Sequence, residues 1–173
     1  MFNLYLVFHG RFGEGLFIIL HPMKKIVDYR RLLGVNENAE LSELKTVYRS
    51  LMKNWHPDKF NENHELKEEA EAKSKHIIEA YHFLVSIAPE TRSLTMAEYV
   101  QTTTSSHIVD HEYKSQVLRI NFLDGNSFEY FDVPKSIYVK LVNADSPARF
   151  ARRHIYSSYV YRSLSKLVAA ESA

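Results

Sequence analysis

The sequence predicts an α+β protein built in two parts, and three observations carry that expectation. Up to about residue 86 the apolar residues recur at helical spacing. Beyond about residue 106 the period falls to two, after an intervening polar, Thr/Ser-rich stretch. An Asp124-Gly125 pair between two alternating runs adds a hairpin turn to the second part.

In the first part, residues 28–33 read as a short helix with Tyr29, Leu32 and Leu33 on one side and Gly34 as its stop. Leu44, Val47, Tyr48 and Leu51 mark a second helix running to Trp55, with Ser42 or Asn38 as its cap. On its other face lie Lys45, Arg49 and Lys53. Their spacing of four stacks three positive charges into one solvent-facing column. Proline cannot continue a helix and pushes the preceding residue toward extended angles. His56 therefore ends this element, and Pro57-Asp58 opens a turn. A third helix, about 66–86, sets Ile77, Ala80, Tyr81 and Leu84 along one stripe. Two long helices with facing apolar stripes and a short loop make an antiparallel hairpin, across which the small first helix packs.

Residues 89–105 read as a linker, with a short helix allowed in its middle. A strand at 107–112 is expected to pair with VLRINF (117–122), which turns through Asp124-Gly125-Asn126 into SFEYFDV. Pro134 stops that strand and suits the first turn of a helix containing Ile137, Tyr138 and Leu141. Ser146-Pro147 repeats the device, cap then proline, ahead of a short basic helix, PARFARRHI. The tail through Ala173 reads as helical. The expected division is an extension at 1–22, a helical domain at 23–88, the linker at 89–105, an α+β domain at 106–165 and a tail at 166–173.

The extension holds two apolar runs split by HGRFGEG, so it reads either as a hairpin or as a stretch ahead of a true start at Met23. The second reading is favoured because MKKIVDYRRLLGV opens like a domain. No run approaches the ~18 uninterrupted apolar residues of a membrane span, and the basic leader of a secretory signal is missing.

Composition narrows the function. With no cysteine among 173 residues, a disulfide framework, a thiolate zinc site and cysteine nucleophilic catalysis are excluded, and a reducing compartment, the cytoplasm, is expected. His107 and His111 stand four apart in a strand-like segment, and His76 and His82 fall on different faces of a helix, so no metal site is expected. There is no Gly-rich phosphate loop and no G-x-S-x-G turn, so the chain reads as neither an enzyme nor a cofactor binder. Charge is uneven. Residues 62–79 carry six acids against three lysines, and residues 135–166 carry seven bases against Asp145 alone. The basic C-terminal part invites an acidic or nucleic-acid partner, or is a solvated face.

Read together, DYRRLLGV, ELKTVYRSLMKNWHPDK and KHIIEAYHFL resemble the J-domain family of co-chaperones over about residues 26–86. The resemblance implies two long antiparallel helices with the HPD loop at their tip, and docking on a DnaK-type chaperone ATPase whose hydrolysis it accelerates. The family's loop maps onto His56, Pro57 and Asp58, and its basic docking face onto Lys45, Arg49 and Lys53, with Lys59 just past the loop. A basic column steers an acidic patch of a partner, and a carboxylate fixed beside a proline pairs with a partner arginine at little ordering cost. Where the family's third helix carries a phenylalanine this chain has Ser74, and Ile78 is expected to fill part of that space. The family's glycine/phenylalanine-rich linker and cysteine-rich region have no counterpart here, which points to a dedicated adaptor.

From about Ser106 to Tyr159, LRINFLDGNSFEYFDVP and IYVKLVNADSPARF resemble the KTSC domain, a small module found at the C-terminus of some lysyl-tRNA synthetases and supposed to bind RNA. Ala148 stands where that family has a glycine. Phe128, Tyr130, Arg149, Arg152 and Arg153 could then form a surface that stacks bases and pairs phosphates. The competing reading, favoured here, makes Phe128 and Tyr130 core, because so small a sheet needs them to bury one face. The expected role is thus a co-chaperone whose second module supplies targeting; the alternative is an RNA-binding protein led by its basic C-terminal domain.

Overall fold

The computed structural model describes residues 25–61 and 63–164. The extension at 1–22 and the tail at 166–173 lie outside them. The element order is α1 (Lys25–Leu33), α2 (Leu41–Trp55), a 3₁₀ turn (Pro57–Phe60), α3 (His64–Ile87), α4 (Pro89–Ser105), β1 (Ile108–Lys114), β2 (Val117–Phe122), β3 (Ser127–Tyr130), α5 (Lys135–Val142), α6 (Pro147–His154) and β4 (Tyr161–Ser163). The protein is α+β: a helical N-terminal module, then a four-stranded antiparallel sheet with helices.

In the first module α2 and α3 form the hairpin and α1 lies across it. The core is Ile26, Tyr29, Leu33, Leu44, Ile77, Ala80, Phe83 and Leu84, with Tyr48 stacked on Tyr81 at 4.2 Å. Gly34 ends α1 at φ +70°, where its N–H and that of Val35 bond back to the carbonyls of Arg31 and Arg30. Ile78 does not fill the space beside Ser74. It is 36% exposed, whereas Ser74 is buried and bonds to the Glu71 carbonyl. Ile78 falls one position round the helix from Ile77, and that rotation of about 100° turns it outward.

The expected linker at 89–105 is a 17-residue helix. Pro89 opens it, Tyr99, Thr102 and Thr103 are buried, and the Thr103 hydroxyl bonds back to the Tyr99 carbonyl at 2.7 Å. Threonine-rich composition does not prevent a helix whose hydroxyls find carbonyls one turn back and whose aromatic faces a core. This helix also corrects the cap of α2. Neither Ser42 nor Asn38 caps it; the Glu90 carboxylate accepts from Leu41 N–H at 3.1 Å. A carboxylate there also sits at the positive end of the α2 dipole.

The sheet order is β1-β2-β3-β4, all antiparallel. Asp124-Gly125 turns β2 into β3, with Gly125 at φ +83°. One sheet face, with Leu118, Ile120, Phe122, Phe128, Tyr130 and Tyr161, packs against Tyr99 of α4, Leu141 of α5, Ala151 of α6 and the Ile155–Tyr156 turn. The expectation of a helix after residue 155 fails at Tyr161. That ring stacks on Tyr99 at 3.7 Å while its backbone extends the ladder beside β3, so strand pairing wins. Ala148 sits in the first turn of α6, whose cap, Ser146, accepts from Arg149 N–H at 3.4 Å. An ordinary capped helix start needs no glycine there.

Alternation along the strands puts Val117, Arg119, Glu129, Phe131 and Arg162 on the opposite face. That face is covered at its β3–β4 end, where Phe131 packs edge-on to Phe83 of α3 at 4.9 Å and belongs to the first module's core, while Arg119 toward β1 stays 41% exposed. The sheet is therefore covered by α4–α6 on one side and, at its β3–β4 end, by the helical hairpin on the other.

Candidate functional site

The tip of the hairpin is built by one proline. His56 takes extended angles, φ −66° and ψ 128°, as the residue before proline must, and Pro57 starts a single 3₁₀ turn closed by Lys59 N–H to the His56 carbonyl at 3.1 Å. Imidazole and carboxylate are thereby set side by side: His56 Nδ1 lies 3.4 Å from both the N–H and Oδ2 of Asp58. The imidazole accepts from the amide when neutral and donates to the carboxylate when protonated. Both side chains stay open, at 51% and 81% exposure. Lys45, Arg49 and Lys53 are exposed along α2 in one column that leads to this tip, with Lys59 exposed in the turn. Among the described residues none of these four cations is held in a salt bridge. Long-range charge is thus free to act on an approaching partner. These groups can orient and pair with a charged surface.

The C-terminal residues fall out differently. Phe128 and Tyr130 are 1% and 0% exposed, and the Tyr130 hydroxyl lies 3.3 Å from that of Tyr99. They cannot stack on bases, because their faces are already taken by Tyr99, Tyr156 and Tyr161. Arg152 is also engaged: its guanidinium donates to the carbonyls of Thr103 and Thr104 at 3.1 and 2.6 Å and closes the C-terminal end of α4. Arg149 and Arg153 remain exposed on α6. The five residues proposed for nucleic acid therefore do not form one surface. Among the described residues no group of three potential metal ligands converges, and no helix is long and apolar enough to cross a membrane.

A second charged constellation escaped sequence reasoning. Glu129, 6% exposed, accepts from Arg119 at 2.9 Å on one side and from Arg162 at 2.6 and 2.8 Å on the other. Burial pushes its carboxyl up, but the two guanidiniums outweigh that and hold it below the usual carboxylate range. Arg162 also lies over the rings of Phe83 and Phe131, at 5.6 and 5.4 Å, so one side chain ties β4 and β3 to α3. Nearby, the Tyr29 hydroxyl donates to Glu79, and that bond is the main reason the Glu79 carboxyl sits low. The signal was the register itself: Arg119, Glu129 and Arg162 stand directly across three strands, and residue 162 was not expected in a strand.

Comparison with known proteins matches this geometry. The DnaJ domain family model covers residues 28–93 and the KTSC domain model residues 104–159. The chain carries a DnaJ domain followed by a KTSC domain. The DnaJ match runs into the first turn of α4 and the KTSC match begins in its last, so α4 is shared by the two domains. Over 67 residues the chain is 45% identical to "Chaperone protein DnaJ" of Thermosipho africanus, covering 39% of this chain and 16% of the relative. It is 32% identical over 156 residues to "DnaJ homolog subfamily B member 7" of Mus musculus, covering 82% of this chain and 48% of the relative. To "DnaJ homolog subfamily B member 6" of Homo sapiens it is 49% identical over 59 residues, 34% of this chain and 17% of the relative. The chain thus spans between about a sixth and about half of the length of these relatives. The DnaJ domain holds His56, Pro57 and Asp58 at its tip, and the KTSC domain meets it through Phe83, Phe131 and Arg162, toward the far end of α3. Phe83 lies about 28 Å along that helix from its start beside the loop, at 1.5 Å per residue.

Proposed function

We propose that this protein is a DnaJ-type co-chaperone that docks on a DnaK-type (Hsp70) chaperone ATPase and accelerates its ATP hydrolysis, with the KTSC domain acting in targeting. The observation that carries the reading is the pairing of an exposed HPD tip with a basic column free of salt bridges among the described residues. The DnaJ relatives named above support it. In this role Lys45, Arg49, Lys53 and Lys59 steer and register an acidic surface on the chaperone, and His56 and Asp58 enter it on the rigid Pro57 turn. The protein then catalyses nothing itself and works in the compartment of its chaperone, the cytoplasm. The KTSC domain, packed on the hairpin through the Arg162 clasp, presents whatever it targets at a fixed distance from the tip.

Steady-state ATP hydrolysis by the DnaK-type chaperone of the same organism tests this. The intact chain should raise the rate saturably, and His56→Gln, which leaves the fold intact at an exposed position, should abolish the rise. Equal stimulation by both, or by neither with both folded, contradicts the reading.

A further inference from the structure

The loop that carries His56 and Asp58 is clipped at both ends by aromatic rings. Trp55 is the last residue of α2 and Phe60 the last of the 3₁₀ turn, and their rings stack at 6.3 Å with 29° between planes. A third group bears on this clip from the neighbouring helix. The Lys73 ammonium of α3 sits 3.4 Å from the centroid of the Trp55 ring. Indole is the strongest of the aromatic faces for a cation. Glu69 lies one turn back on the same helix, yet among the described residues no salt bridge involves Lys73. Its neighbour Ser74 fills a buried position with a small side chain whose hydrogen bond stays inside α3. Ser74 therefore fastens nothing on α2, and the loop carries the Lys59-to-His56 backbone bond at 3.1 Å and a longer Asp58 N–H to His56 Nδ1 bond at 3.4 Å.

We propose that Lys73 is a positioning residue: by seating its ammonium on Trp55 it fixes the end of α2 against α3 and so sets the direction in which the HPD loop is presented. The inference rests on the chaperone-docking reading and adds to it a residue on the opposite helix that touches the chaperone only through the loop. The chemistry sets the substitution pattern. An arginine at position 73 keeps a cation able to stack on indole, whereas glutamine keeps the length and loses the charge.

The experiment uses the intact chain with Lys73→Gln, Lys73→Arg, Trp55→Leu and the Lys73→Gln/Trp55→Leu double variant. Two readouts are taken: the concentration giving half-maximal stimulation of the chaperone ATPase, and backbone order parameters of residues 56 and 58–60. Lys73→Gln should raise the half-maximal concentration about fivefold, since a loop less often in its competent geometry binds in proportion less tightly. Its loop order parameters should fall toward the flexible range, below about 0.6, while those of Leu44 and Ile77 stay unchanged. Lys73→Arg should restore both readouts, and in the Trp55→Leu background Lys73→Gln should add nothing. Weaker stimulation with unchanged loop order would overturn the proposal, because Lys73 would then be contacting the chaperone directly. No change in either readout overturns it equally. If the intact chain fails to stimulate at all, the docking reading falls, and the loop order parameters alone decide the clamp.

Discussion

Glu129 shows how much one carboxylate can hold in place. It lies in the middle of the sheet face that meets the hairpin and pairs with two arginines, one of which reaches across to Phe83. Because its folded pKa lies below the unfolded value, its stabilisation is fully present above that unfolded value, near 4.5, and is lost as pH falls through the folded one. Glu129→Gln should therefore cost about 2 kcal/mol at pH 7, the order expected when buried charge-assisted bonds lose their charge. The gap between wild type and variant should shrink as the pH is lowered below about 4.5. Urea unfolding at pH 7 and pH 3 checks this, and a gap unchanged at pH 3 would mean that side-chain shape, not charge, is responsible. Neither the position nor its role was legible beforehand. Glu129 reads as a solvent-facing strand residue, and only the register that places Arg119 and Arg162 opposite it reveals a buried carboxylate between two arginines. The HPD tip was legible because its logic is local: one proline fixes His56 and Asp58 whatever the rest of the chain does.

Among the elements, α4 differs most from expectation. Its residues, PETRSLTMAEYVQTTTS, have no strong apolar stripe, and a window reading sees a polar connector. The structure gives it three long-range functions instead. Tyr99 bonds its hydroxyl to the Tyr156 carbonyl at 2.7 Å, Thr102 donates to Asp124 in the β2–β3 turn, and Glu90 caps α2. Each partner lies 22 to 57 residues away in sequence, beyond the reach of any local pattern. The expectation for Glu90 is specific. Glu90→Ala should destabilise the protein by about 1 kcal/mol, the usual loss at an N-cap, and amide exchange should quicken at Leu41 and in the first turn of α2 rather than across the sheet. Faster exchange confined to α4 would show that Glu90 acts within its own helix. By contrast α2, α3 and the β2–β3 hairpin were legible, since amphipathic period and an Asp-Gly turn are properties of short windows.

At the scale of the whole molecule, the DnaJ and KTSC domains share a core residue rather than a linker. Phe131 leaves the KTSC sheet to pack on Phe83 of α3 and is 4% exposed. Phe131→Ala should cost about 3 kcal/mol, the lower range for a buried phenylalanine, and should split one cooperative thermal transition into two. A single transition merely shifted to lower temperature would mean that α4 alone couples the domains. The arrangement also leaves the HPD tip clear, because every contact named between the hairpin and the sheet gathers near Phe83. That clearance is the central claim, and amide signals of the intact 173-residue chain, recorded as ATP-loaded DnaK-type chaperone is added, test it most directly. The account predicts broadening that begins at Lys45, Arg49, Lys53, His56, Asp58 and Lys59 and spares β1–β4 and α6. Broadening centred on Arg149 and Arg153, with the α2 face unchanged, would contradict it.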